Sequence, residues 1–200
     1  MRITILALAV LTLTGCAQQI AMQQQQEAEM AAASAKSVCE SVPERPELAI
    51  LKEQVVFDYT KATVAQLADN RKPTAAQKAV IANIDQYNKP CEDAAIALYS
   101  KYTPRALPIY METSQSVKML WARLLNGDMT FGQFNTEKVK LASTAQARAT
   151  QLHANLQAEA QQLQLQQQQL GIQNMQLWNS MRPRTANCYR VGNSVSCTQW

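Results

Sequence analysis

The chain has 200 residues, five of them glycine and five cysteine, with a formal net charge of +4 and few aromatic side chains. That length supports one domain with a real core. So small a positive balance gives no electrostatic argument for nucleic acid, and so few glycines leave no phosphate-cradling loop.

Arg2, an apolar run over residues 3–13 and then Thr14-Gly15-Cys16 open the sequence. A basic start, a short apolar core and small residues at a processing point form the pattern of a secretory signal. At about 11 residues the apolar run is well short of the roughly 20 that a spanning helix needs. Leu13-Thr14-Gly15-Cys16 resembles the lipobox of bacterial lipoproteins. The resemblance implies a diacylglyceryl group on the Cys16 thiol, removal of residues 1–15 as a signal peptide, and acylation of the new amino group. It further implies a membrane anchor, since each buried methylene contributes about 0.8 kcal/mol. In that family an aspartate after the cysteine favours inner-membrane retention, so Ala17 implies the outer membrane, with the periplasmic face expected and the inner membrane or the cell surface as alternatives. Removing Arg2 takes the formal charge from +4 to +3, and export takes nucleic acid out of the expected partners.

Helical periodicity organises the body of the chain. Residues 17–42 are rich in alanine and glutamine, with a small-residue stripe that strengthens towards Cys39. "VPERP" interrupts, and Pro46 suits the first position of a second helix. Leu48, Leu51, Val55, Tyr59 and Ala62 then line one face, predicting a helix that ends near Asn70. In "RKPTAAQ", Thr74 and Gln77 have capping-box spacing. The third helix is expected to reach Tyr102, kinked or split at Pro90, which lacks an N–H and clashes with the preceding turn. A fourth helix restarts after Thr103-Pro104 and carries Tyr110, Val117, Leu120, Trp121 and Leu124 as far as Asn126-Gly127.

"MTFGQF" opens the last helix. Thr130 and Gln133 are spaced as a reciprocal capping box, and Met129 and Phe134 occupy the two positions of a hydrophobic staple. The stretch from Leu120 to Asn135, of the form LWxxLxxGxxTxGxxN, resembles stretches in other envelope lipoproteins, a likeness that carries no function. From Gln133 to Met181 only Gly171 interrupts the helix formers. Such a helix is about 75 Å long, against roughly 30 Å for a small domain. Leu156, Leu163, Leu170 and Leu177 recur at the coiled-coil interval. The companion positions are weak, whether Leu152 followed by Glu159, Gln166 and Gln173, or Ala160, Gln167 and Asn174. The first helix running back along it, or another protein chain, would cover this surface.

Cysteine counting closes once Cys16 is set aside, leaving four in a compartment where disulfides persist. With Gly192-Asn193 as a two-residue loop, Cys188 faces Cys197 as a non-hydrogen-bonded pair at about 4.5 Å, within bridging range. By elimination Cys39 pairs with Cys91, and both lie on the apolar faces of their helices. The C-terminal hairpin also resembles the tails of small uncharacterised bacterial lipoproteins.

Little else suggests chemistry. His153 has no cysteine or carboxylate at a metal-ligand interval, so neither a metal site nor a histidine-dependent catalytic group is expected. Glu92 and Asp93 follow Pro90, where acids in a first helical turn serve the dipole. Arg182, Arg184 and Arg190, with Tyr189 and Trp200, are candidates for contact with an anionic surface. The reading is therefore a mainly α protein: a helical bundle over 16–182 with one very long C-terminal helix, then a disulfide-clamped β-hairpin over 183–200. The expected role is a membrane-anchored structural or adaptor module without catalysis or cofactor, meeting a protein partner or its own copy through the long helix. The alternative is a periplasmic binding module for an apolar ligand, a lipid or a peptide.

Overall fold

The computed structural model describes residues 3–181 and 186–199, in two compact units that part between Leu152 and His153. Six α-helices and one hairpin are among the described residues: α1 (Ile3–Ser41), α2 (Val64–Leu67), α3 (Ala75–Ile81), α4 (Ile84–Tyr102), α5 (Leu107–Asn126), α6 (Phe131–Met181), β1 (Ala186–Val191) and β2 (Ser194–Gln199). The fold is mainly α with a long C-terminal helix and a bridged hairpin, as the sequence predicts.

In the first unit α1 packs on α4. Ala35 is buried in α1 and Val42 in the 3₁₀ turn that follows it, and the Cys39–Cys91 disulfide fastens α1 to α4 with Cα atoms 4.6 Å apart. One core collects Val42, Leu48, Leu51 and Val55 with Ile81 and Ile84, then Leu120, Trp121 and Leu124 of α5, and Met129, Phe131 and Phe134 at the start of α6. Side chains of this size each contribute about 1.5–3 kcal/mol on full burial.

The predicted helix over residues 46–70 does not form. Pro46–Leu51 is a 3₁₀ turn, Tyr59–Lys61 another, and only Val64–Leu67 is α-helical. Leu48 and Leu51 are buried three apart, the period of a 3₁₀ helix, and so is Gln54 after them, so the apolar pair alone fits either form. Val55, Val56 and Phe57 are poor helix formers. Asp58 then accepts from the Thr60 N–H at 3.0 Å, and Thr63 with Gln66 makes a capping box that starts the short α2.

The third helix does divide, but at Ala82 and Asn83 rather than at the proline. Asn83 donates its side-chain amide to the Ala79 carbonyl at 2.9 Å, ending α3 there, and Pro90 lies inside a continuous α4. The expected Thr74–Gln77 box is present. Gln77, itself buried, also donates to the Ile50 carbonyl at 3.3 Å, which ties α3 to the 3₁₀ turn.

Leu120 to Asn135 is the best-anchored part of the chain. Leu120, Trp121 and Leu124 bury the last turns of α5. Gly127 then takes φ 81°, and its N–H and that of Asp128 close back on the Leu124 and Arg123 carbonyls at 3.0 and 2.9 Å. That is a Schellman closure, where glycine avoids a side-chain clash. The first three free N–H groups of α6 are all satisfied. Phe131 donates to the Arg71 carbonyl at 3.0 Å, Gly132 to the Asp69 carbonyl at 2.7 Å, and Gln133 to Thr130 Oγ1 at 3.3 Å. Thr130 N–H in turn donates to Gln133 Oε1 at 2.9 Å, completing the expected box, and the staple residues Met129 and Phe134 are both in the core.

Two further positions in this stretch explain its composition. A Cβ on Gly132 would lie 2.5 Å from the Leu67 carbonyl oxygen and 2.9 Å from both N and O of Asp69. Helix propensity alone predicts that Gly132→Ala stabilises by about 1 kcal/mol. Overpacking against rigid backbone reverses the sign, so urea denaturation should show a loss of roughly 1–3 kcal/mol. A neutral or stabilising result would show that the 67–69 segment yields freely. Asn135, fully buried, accepts from the Val56 N–H at 2.9 Å and donates to the Gln54 and Gln66 carbonyls at 2.6 and 2.9 Å. One turn on, Lys138 Nζ donates to the Val56 carbonyl at 2.7 Å and lies 5.4 Å from the centre of the Phe57 ring. Lys138 is half-buried, and burial pushes its pKa down to about 8.

The second unit holds α6 from His153 onward and the hairpin. β1 and β2 pair antiparallel in the predicted register, Val191 with Ser194, Arg190 with Val195, Tyr189 with Ser196 and Cys188 with Cys197. The bridge is formed, with Cα atoms 4.0 Å apart. Gly192 alone in the loop has positive φ, at 62°, the form in which glycine leads the turn.

Candidate interaction surface

The sequence candidates fall in three places. Cys16 lies within α1, and its side chain is outside those described. Arg182, Arg184 and Trp200 lie outside the described residues. Arg190 is exposed on β1, where strand alternation puts it on the disulfide face with Val195, and Tyr189 on the opposite face. Arg190 and Tyr189 therefore lie on opposite faces of the hairpin.

Glu92 and Asp93 sit in the interior of α4, not in a first turn, because the helix begins at Ile84. Both are engaged by cations. Lys118 Nζ donates to the two Glu92 oxygens at 2.9 Å each, and Lys89 Nζ to those of Asp93 at 2.8 and 2.9 Å. Glu92 holds the Lys118 ammonium charged, above its usual range, through this hydrogen bond. Nearby Tyr110 is pushed up to about 12, first by burial and then by the Glu92 charge. Two apolar clefts flank Tyr110, of ≈ 230 Å³ beside Val117 and Trp121 and ≈ 250 Å³ beside Ala142 and Ala145. Each is smaller than the roughly 300–1,000 Å³ of usual ligand sites. His153 is exposed, and no group of three or more metal-ligating side chains occurs among the described residues.

The distal part of α6 is unlike any of these. Every residue from His153 to Met181 is exposed. Leu156, Leu163, Leu170 and Leu177 are 37, 60, 54 and 56% exposed, and Trp178 is 72% exposed. Between Arg148 and Arg182 Glu159 is the only acidic or basic side chain apart from His153, while glutamine supplies ten of residues 153–181. An isolated helix draws most of its stability from burying one face, and here the apolar stripe has no cover within its own unit. The heptad of leucines is legible in the sequence; the completeness of the exposure is not.

No family model, curated protein or solved structure matches the chain. None of the described helices is long and apolar enough to cross a membrane.

Proposed function

We propose that this is an exported lipoprotein, acylated at Cys16 and held on the periplasmic face of the outer membrane, which acts as a structural or adaptor module in an envelope assembly. The observation that carries the interaction role is the distal helix: leucines at heptad spacing, exposed along its whole length, on a surface with almost no charge. A soluble protein rarely leaves so long an apolar stripe open without a use for it. The four bridged cysteines support an oxidising compartment, because such bonds are rare where glutathione keeps thiols reduced. The lipobox-like Leu13-Thr14-Gly15-Cys16 supplies the anchor.

Two measurements test this reading. Intact-mass analysis of the protein from native membranes should show a chain beginning at Cys16 and carrying acyl groups; an uncleaved start or a bare Cys16 overturns the anchor. Affinity isolation from detergent-solubilised membranes should return the protein in a complex. Recovery of a lone monomer overturns the adaptor role.

A further inference from the structure

We infer that the occupant of the distal α6 surface is a second copy of this chain, aligned parallel and in register. The inference rests on the proposed interaction role and names its partner.

Self-complementarity is the ground for it. Set the leucines at positions d of a heptad, and Ala160, Gln167, Asn174 and Met181 fall at positions a, with Leu156, Leu163, Leu170 and Leu177 at d. The flanking e and g positions are Gln157, Gln164, Gly171 and Trp178 on one side and Glu159, Gln166, Gln173 and Ser180 on the other. Pairing with a different chain is normally selected by charges at e and g, and among these eight residues only Glu159 carries one. What the seam holds in their place is amide. Gln167 and Asn174 each carry a donor and an acceptor, so a side-chain amide is the natural complement of its own copy. A buried asparagine at an a position fixes register and favours like-with-like alignment. Self-pairing opposes no row of like charges, and it covers the leucines that this unit leaves open. Only a parallel, in-register pair sets Gln167 against Gln167 and Asn174 against Asn174, since an antiparallel pair places positions a opposite positions d. Leu165 and Ile172 lie on the opposite face and stay outside the seam.

Cysteine cross-linking in the full-length, membrane-held protein decides it. The four bridged cysteines leave an introduced thiol as the only new reactive one under mild oxidation. Ala160→Cys, also at a position a, should trap a species of twice the mass, and Ile172→Cys, on the outer face, should not. Adding Leu163→Glu and Leu170→Glu to Ala160→Cys should cut the trapped fraction by about tenfold or more, the cost of at least 1.4 kcal/mol at the seam. Equal trapping at 160 and 172, or none at either, overturns the inference. A product with a different protein overturns self-pairing but leaves the adaptor role standing, and a lone monomer in affinity isolation removes both.

Discussion

Asn135→Leu is expected to lower the stability of the first unit by roughly 3–5 kcal/mol, because it leaves two buried backbone groups and one part-buried carbonyl without the Asn135 amide. The Val56 N–H and the carbonyls of Gln54 and Gln66 all end on the Asn135 amide. Leucine matches its size and suits the helix, so neither a cavity nor lost propensity confuses the result. The loss should fall on the segment between residues 52 and 67, which has only short helical pieces of its own. Hydrogen exchange should therefore speed up there first. Against a total of about 5–15 kcal/mol for a domain, the change is large, and chemical denaturation followed by circular dichroism will read it. Asn135→Asp separates the contributions: it keeps an acceptor for Val56 but sets a carboxylate against two carbonyl oxygens, and should be no better tolerated. A loss under about 1 kcal/mol for the leucine variant would mean that water reaches all three groups.

Cys39→Ala with Cys91→Ala is expected to cost about 4 kcal/mol, since the bond closes a loop with a sequence separation of 52. For a unit of this size the melting temperature should fall by roughly 10 °C. Removing Cys188 and Cys197 instead, with a separation of 9, should leave the melting of the first unit where it was. The contrast is the test. If the two double variants melt alike, the Cys39–Cys91 bond is not restraining the unfolded chain as the loop-length argument requires.

Legibility from sequence follows the range of the interactions. The hairpin register, the capping boxes at Thr74 and Thr130, the staple and the turn at Gly127 are all set within about ten residues, and each is readable. The 46–70 segment is not, because its conformation is imposed by Asn135, 69 to 81 positions along the chain. Its apolar spacing suits a 3₁₀ turn as well as an α-helix, and nothing local decides between them. Pro90 misleads in the other direction: a helix can tolerate a proline when neighbouring packing and a covalent tie at the next residue, Cys91, hold it in place. The LWxxLxxGxxTxGxxN stretch gains a physical meaning from the fold. Its glycines serve a left-handed turn and a close backbone approach, its threonine starts a helix, and its asparagine binds a distant segment. It is a folding element, and the exposed leucines lie further along α6.

The distal helix, so poor in charge, is also a poor target for one kind of digestion. No lysine or arginine occurs between Arg148 and Arg182, nor over residues 3–35. The stretch most open to a passing protease therefore offers nothing to a trypsin-like enzyme, whose substrates must present a basic side chain. Over these two stretches that class of cleavage is refused by chemistry alone.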